Sequence, residues 1–225
     1  MKTGSDQAPV KNYFYLHNYY SIIITERKII LKFMIISISG AQGSGKSTMA
    51  KKLALDLNWP RYYMGELRRN AALKRGMTLA EYNKLGEKDP ATDKEVDFYQ
   101  KELGEKEDNF IIEGRTSWYF IPHSFKIYID VELKIGAERI WNHLQKDNKR
   151  NEDTNLNSLE DVIVSLKNRL ESDRKRYLKY YNIDVHNKNH YDFVIDTSNL
   201  NIEEVYSLIY QRIKKELEKN NYLTD

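Results

Sequence analysis

The amino-acid sequence predicts an α/β fold in which a parallel, five-stranded sheet is covered by helices on both faces. The main observation is that short apolar segments rich in β-branched residues alternate with longer segments of helical spacing. A second observation is a glycine-rich turn between the first of these strands and the first helix. Parallel strands joined by crossover helices are buried on both faces, which requires this pattern.

The first half of the chain supplies three of the predicted strands. Residues 34–39 read MIISIS, a short β-branched run typical of a buried strand, and residues 62–64 and 109–113 follow as further strands. Residues 47–58 have helical spacing, with Met49, Leu53 and Leu57 on one side. Helical patterns also fill residues 65–106, where Asp89 and Pro90 mark a break between two helices.

The second half continues the alternation. Residues 126–131 and 192–196 are predicted as the fourth and fifth strands. Helices are predicted over residues 133–146, 158–181 and 202–218, and the stretch 147–157 is polar.

Length and composition favour one intracellular domain. The 225 residues, 26.7 kDa in mass, suit a single α/β domain with a real core. The absence of cysteine excludes disulfides, thiolate metal sites and a cysteine nucleophile, and it fits a reducing cytoplasm. We therefore expect a cytoplasmic protein, and we expect it to be a monomer.

The charge distribution argues against nucleic acid and membrane partners. The net charge of +3 comes from residues 1–33, which hold five basic and two acidic side chains, so the rest carries 31 of each. A neutral body is not typical of a protein that binds duplex nucleic acid. The most apolar stretch, residues 21–39, is interrupted by four charged residues, so no uninterrupted apolar run approaches the roughly 18 residues needed to span a bilayer.

The first 33 residues are unusual because they show no clear helical or strand period. A second methionine, Met34, opens the first predicted strand. We interpret residues 1–33 as an extra tail, or as the product of a start codon assigned too early, and residues 34–225 as the folded domain. A helix or strand docked on the core is the alternative.

The glycine-rich turn carries a complete phosphate-binding pattern, a glycine, four residues, then glycine, lysine and serine. Its residues are Gly40, Ala41, Gln42, Gly43, Ser44, Gly45, Lys46, Ser47 and Thr48. Glycines let consecutive backbone N–H groups point at an anion, and the following helix adds its positive end. In this pattern Lys46 reaches the β and γ phosphates and the Ser47 hydroxyl ligates Mg²⁺. The turn therefore predicts a site for ATP or GTP.

Glu113 ends an apolar strand, which is a costly place for a carboxylate without a partner. Beside a phosphate loop, the natural partner is Mg²⁺ or one of its water ligands. The alternative is a structural hydrogen bond to the loop backbone.

Four stretches of the chain resemble the cytidylate kinase family of nucleoside monophosphate kinases, in particular its compact archaeal-type branch. They read ISGAQGSGKST (38–48), MGELRRNAALKRGMTLAEYNKLGEKDP (64–90), IIEGR (111–115) and RLESDRKRYLKYYNID (169–184). The resemblance covers residues 34–211 and implies a P-loop kinase fold that phosphorylates CMP and dCMP with ATP and Mg²⁺. It also implies a helical acceptor-binding lobe over residues 65–106 and a lid over residues 147–181.

The resemblance assigns two arginines to the acceptor phosphate. Arg69 matches the family arginine that grips the monophosphate, and Arg115 follows the third strand at the sheet edge that faces ligands. For each of them a surface salt bridge is the alternative. Arg68, next to Arg69, can be an ordinary solvated residue.

Arg169, Asp173 and Arg176 are spaced four and three residues apart, so they share one helix face. By resemblance, Arg169 and Arg176 are lid arginines that close onto the phosphates, and Asp173 with Arg169 orients the acceptor sugar. The alternative is a set of ion pairs on a helix surface, which contribute little.

The sequence departs from the family pattern at two positions and in the polar segment 147–157, which is longer than the short lid of the archaeal-type branch. The acceptor base is therefore left open. His143 stands where relatives often carry a lid arginine, and Thr116 stands where the bacterial branch has an aspartate near the base. Two other functions therefore remain: a kinase for AMP or another small acceptor, or a regulatory NTPase that binds without transferring. An arginine-rich lid favours a kinase, because a switch has no acceptor phosphate to hold.

Overall fold

The computed structural model describes residues 34–146, 153 and 156–220. Residues 1–33 and most of the polar stretch 147–157 lie outside the described residues. The predictions for the N-terminal extension and for that part of the lid therefore concern residues that the structure does not describe.

The described residues form one parallel sheet of five strands, as the sequence predicts. The strands are β1 (Ile35–Gly40), β2 (Arg61–Tyr63), β3 (Phe110–Glu113), β4 (Phe125–Asp130) and β5 (Phe193–Asp196). Their order across the sheet is β2-β3-β1-β4-β5, which puts β1 at the centre. The third strand begins one residue later than predicted because Asn109 has a φ of 56° and cannot continue a strand.

Helices follow the predicted segments closely. They are α1 (Lys46–Leu57), α2 (Met64–Leu73), α3 (Leu79–Gly86), α4 (Ala91–Lys106), α5 (Ser117–Phe120), α6 (Leu133–Lys146), α7 (Leu159–Tyr181) and α8 (Ile202–Asn220). A single 3₁₀ turn covers Lys188–His190. The four-residue helix α5 was not predicted, because one turn is too short to show a helical period. None of the described helices is long and apolar enough to cross a membrane.

The sheet is buried on both faces, as β-branched strands without polar alternation predict. On one face, Ile36, Ile38 and Ile127 pack with side chains of α1 and α8, among them Leu53 and Ile209. On the other face, a second apolar cluster joins the sheet to α2, α4 and the end of α5; it contains Ile35, Met64, Leu103, Phe110, Ile112 and Ile121. The domain therefore has three layers.

The strand order sets the position of the ligand site. The chain moves from β1 to β2 and β3 on one side of the sheet, and then to β4 and β5 on the other. In such sheets a crevice opens at the carboxyl ends of the strands where the order reverses, here beside β1. Both the glycine-rich loop after β1 and the residues after β3 lie at this edge.

Candidate active site

The loop after β1 needs glycine at two positions where it presses against other backbone. Gly40 has a φ of 140°, and a Cβ there would lie 1.9 Å from the carbonyl oxygen of Ile129. Gly43 has a φ of 76°, and its Cβ would lie 2.2 Å from the carbonyl oxygen of Gly136 in α6. These close approaches hold the loop between β4 and α6, so its shape is set by the fold.

Helix α1 starts at Lys46 with its first N–H groups directed into this loop. Gly45 is the N-cap residue, with a φ of 87°, and as a glycine it has no side chain that could cap the helix. The first turn of α1 contains no acidic residue. The unpaired N–H groups and positive end of α1 therefore favour an anion held by the loop.

A second contact from α6 fixes the loop at its far end. Arg139 donates from Nη2 to the carbonyl oxygen of Thr197 at 2.7 Å, and its Nη1 lies 3.4 Å from the carbonyl oxygen of Gly43. The Thr197 hydroxyl donates to the carbonyl oxygen of Asp130 at 2.9 Å and also lies 3.3 Å from the carbonyl oxygen of Ser44. Arg139 and Thr197 thus lie against the carbonyl side of the loop.

Lys46, Ser47 and Glu113 meet at the mouth of the loop. The Lys46 ammonium donates to the carbonyl oxygen of Ala41, so the side chain bends back over the loop. The Ser47 hydroxyl donates to Oε1 of Glu113 at 2.5 Å. Arg61, in β2, donates to the other carboxylate oxygen of Glu113 at 2.7 Å. The buried carboxylate therefore has partners in a serine side chain and an arginine, rather than in the loop backbone.

Arg115 connects the loop to helix α7. Its Nη1 donates to the carbonyl oxygen of Gly40, and its Nε lies 2.9 Å from Oδ2 of Asp173. Arg115 therefore does form a salt bridge, but its side chain is only 16% exposed and the bridge lies within the cleft.

Asp173 and Arg176 belong to a buried cluster that reaches α4. Arg176 is 1% exposed and donates to Oδ1 of Asp173 at 2.6 Å and to Oδ1 of Asp93 at 2.7 Å. The alternative of surface ion pairs is therefore wrong for this part of α7. Burial alone would raise the pKa of Asp173, but the charges of Arg115, Arg176 and Arg169 hold it below the usual range of a carboxyl group.

Arg68 is the third arginine of this cluster, so its interpretation as a solvated residue is wrong. Its Nη1 lies 2.5 Å from Oδ1 of Asp93, and its Nε donates to Asn83 at 2.7 Å. The side chain is buried because α2 packs against α3 and α4, and Asp93 supplies the charge that makes this burial tolerable.

Arg69 and Arg169 lie at the rim of the same cleft, and both are half-buried. Arg69 donates from Nη1 to the Tyr63 hydroxyl at 2.8 Å and lies over the Tyr63 ring. The aromatic ring therefore holds the Arg69 guanidinium close to the end of β2.

One cleft of about 1460 Å³ contains nearly all of the predicted residues. Its walls include Lys46, Ser47, Arg69, Glu113, Arg115, Arg169, Asp173 and Arg176, together with residues 42–45 and Thr48 of the loop. Gly40 and Ala41 do not line the cleft themselves, but their carbonyl oxygens accept from Arg115 and Lys46, which do. His143, on α6, is exposed and also lines the cleft.

Sequence reasoning missed the acidic and polar residues of α4. Asp93, Asp97 and Gln100 are all buried and line the cleft. Their spacing of four and three residues places them on one helix face. A polar stripe of this kind on the inward face of a predicted helix was the signal that could have revealed them.

Comparison with known proteins shows relatives over most of the chain. The sequence matches the cytidylate kinase-like family over residues 35–199. It is 34% identical to a cytidylate kinase of Methanosphaera stadtmanae over 80% of this chain and 98% of that protein. It is 36% identical to a cytidylate kinase of Methanocella arvoryzae over 80% of this chain and 97% of that protein.

Solved structures support the fold. A shikimate kinase from Bacteroides thetaiotaomicron has a TM-score of 0.56 to this chain at 15% identity, covering 83% of this chain and 99% of that one. At this identity the similarity concerns the fold, a P-loop kinase sheet with helices on both faces. The sequence match over residues 35–199 identifies the family. The chain belongs to the cytidylate kinase-like family.

Proposed function

We propose that the protein transfers the γ-phosphoryl group of ATP to CMP, giving CDP and ADP. The observation that carries this proposal is the double contact of Arg115 with the Gly40 carbonyl oxygen and with Asp173. It joins a triphosphate-binding loop to a cluster of buried arginines at one point of one cleft. Membership of the cytidylate kinase-like family supports CMP as the acceptor.

The loop is the donor end of the site. Backbone N–H groups of the loop and the start of α1 would bind the β and γ phosphates of ATP. Lys46 already bends over the loop to the Ala41 carbonyl oxygen, and it would exchange this neutral partner for phosphate oxygens. The positive charge of Lys46 would stabilise the negative charge that develops on the β–γ bridging oxygen.

The residues at the loop mouth fit Mg²⁺. The Ser47 hydroxyl and Oε1 of Glu113 are hard oxygen donors that lie side by side. Among the described residues no group of three or more His, Cys, Asp or Glu could hold a metal, which fits an ion that takes its other ligands from phosphates and water. Arg61 compensates part of the Glu113 charge, so we expect Ser47 to ligate the ion and Glu113 to orient a ligand. When bound, Mg²⁺ would neutralise charge on the triphosphate.

The arginine cluster is the acceptor end. Arg69 and Arg115 would bind the phosphate of CMP, and both already lie at the carboxyl ends of the strands that face the loop. Asp173 would orient the acceptor sugar together with Arg169. The resemblance of residues 34–211 to the cytidylate kinase family supports dCMP as a second acceptor.

The transfer itself requires little covalent chemistry from the protein. An oxygen of the CMP phosphate attacks the γ phosphorus as the bond to the β–γ bridging oxygen breaks, and ADP leaves. Arg169 and Arg176 would stabilise the negative charge of the phosphoryl group during its transfer. Closure of α7 over the cleft would exclude water, which otherwise competes as the acceptor. ATP and CMP are cytoplasmic metabolites, so we propose that the enzyme acts in the cytoplasm. We also propose that it acts as a monomer.

Screening all ribo- and deoxynucleoside monophosphates with ATP and Mg²⁺ tests this proposal. We expect CMP to have the highest kcat/KM, followed by dCMP. A clear preference for AMP or for a substrate that is not a nucleotide would contradict it, and so would ATP hydrolysis that no acceptor accelerates.

A further inference from the structure

The part of α4 that lines the cleft buries polar side chains where a helix normally buries apolar ones. Asp97 is 7% exposed and Gln100 is 1% exposed, and both line the cleft. Buried polar groups are costly unless they are paired, so this face must serve either a structural network or a ligand.

The Gln100 amide is oriented by two neighbours from the segment after β3. Its Oε1 accepts from the Ser117 hydroxyl at 2.6 Å, and its Nε2 donates to the Thr116 hydroxyl at 3.1 Å. An amide nitrogen carries two N–H groups. The second one points toward Asp97, whose Oδ1 is 3.4 Å away, which is long for a hydrogen bond. Gln100 therefore has one N–H group that can donate to a ligand atom closer than Asp97 Oδ1.

Asp97 has one satisfied oxygen and one that is poorly engaged. Its Oδ2 accepts from the Tyr181 hydroxyl, at the end of α7. Its Oδ1 is 3.4 Å from both Gln100 Nε2 and the Thr116 hydroxyl oxygen. A carboxylate accepts strong hydrogen bonds, so this oxygen is an acceptor that lacks a close donor.

The network lies next to the predicted phosphate contacts. Thr116 directly follows Arg115, and Gly114 directly precedes it. A Cβ on Gly114 would lie 3.1 Å from Oε1 of Gln100, so the backbone after β3 runs between the arginine and the amide. A nucleotide whose phosphate binds Arg115 can therefore extend its base toward α4.

The lining of the cleft at this wall therefore offers one acceptor, on Asp97, and one donor, on Gln100.

We propose that Asp97 and Gln100 recognise the base of the acceptor and select a pyrimidine with an exocyclic amine. Asp97 accepts the amine hydrogen of cytosine, and Gln100 donates to the ring nitrogen or carbonyl oxygen beside it. Uracil is rejected because it places a carbonyl oxygen against the Asp97 carboxylate, which leaves two acceptors facing each other. This inference rests on the proposed function, since it assigns the base site of that reaction.

The test is the ratio of kcat/KM for CMP to that for UMP in Asp97→Asn. The amide of asparagine can donate to the uracil oxygen, so we expect the ratio to fall on the order of tenfold to a hundredfold. Glu95→Gln is the matched control, because it makes the same change of charge on an exposed position of the same helix. An unchanged ratio in a folded Asp97→Asn protein would overturn the inference.

A second measurement does not depend on a folded variant or on transfer. Calorimetric titration of the wild-type protein, without ATP, compares CMP, UMP and the 2-pyrimidinone nucleotide, which carries hydrogen in place of the amine. We expect CMP to bind at least about tenfold more tightly than either. Equal binding of CMP and the 2-pyrimidinone nucleotide would overturn the inference while leaving the kinase reaction intact. Tight CMP binding without transfer would instead contradict the proposed function.

Discussion

Asp93 and Arg176 form an ion pair that joins two helices 83 residues apart in the chain, with Oδ1 and Nη1 separated by 2.7 Å. The same Asp93 oxygen also contacts Arg68, so one carboxylate serves two buried arginines from α2 and α7. The pair ties the helices that carry the acceptor residues to the helix predicted to form the lid.

Asp93→Ala should destabilise the protein strongly, because it leaves two buried arginines without this carboxylate. We expect the free energy of unfolding to fall by about 3–5 kcal/mol, measured by urea denaturation. Glu95→Ala on the exposed side of α4 is the control and should change it by less than about 0.5 kcal/mol. Similar values for the two variants would mean that the cluster contributes little.

Lys46→Ala should abolish most of the turnover and preserve the fold. The partly exposed side chain lies at the loop mouth, where it donates to the Ala41 carbonyl oxygen, and it is not part of the apolar core. We expect kcat with CMP to fall at least about a hundredfold, since a charge that acts on the transition state is lost. Lys51→Ala, an exposed lysine of the same helix, is the control. Near-normal kcat in a folded Lys46→Ala protein would disprove the role of the loop.

Glu113→Gln should weaken the response to magnesium. The change removes the negative charge that faces Ser47 while keeping the size of the side chain. We expect the Mg²⁺ concentration for half-maximal activity to rise on the order of tenfold, with the KM for CMP unchanged. Glu105→Gln, exposed on α4, controls for the change of net charge. An identical Mg²⁺ dependence in both variants would remove Glu113 from the metal site.

The preference for CMP over UMP should depend on pH through Asp97. Burial raises the pKa of Asp97 to about 6, and the negative charge of Asp93 contributes to this rise. The hydrogen bond from Tyr181 and the positive charge of Arg68 lower the pKa and offset part of the rise. Above this pKa the group is a carboxylate that accepts from cytosine. Below it the group becomes a donor that suits uracil.

We therefore expect the ratio of kcat/KM for CMP to that for UMP to fall as the pH drops from 8 to 5.5. The phosphate groups of the two nucleotides titrate alike, so their effect cancels in the ratio. The ratio of Asp97→Asn should be flat over the same range. A wild-type ratio that does not change with pH would show that Asp97 does not titrate in contact with the base.

Much of the fold was predictable because its signals are local. The strands and the loop from Gly40 to Thr48 appear as short runs whose chemistry needs no distant residue. The buried cluster was only partly predictable. Arg115, Asp173 and Arg176 were found by resemblance, but the burial of Arg68 depends on Asp93, 25 residues away, and on the packing of α2 against α4. The polar residues of α4 that line the cleft were missed, because the sequence alone does not show that this face of the helix is buried.

The central claim is that this cleft transfers a phosphoryl group from ATP to CMP. The most direct measurement follows ATP, ADP, CMP and CDP together by ³¹P NMR with Mg²⁺ present. One CDP should form for each ATP consumed, and ATP should persist when CMP is left out. ADP and inorganic phosphate accumulating without CDP would contradict the claim and identify a nucleotide hydrolase.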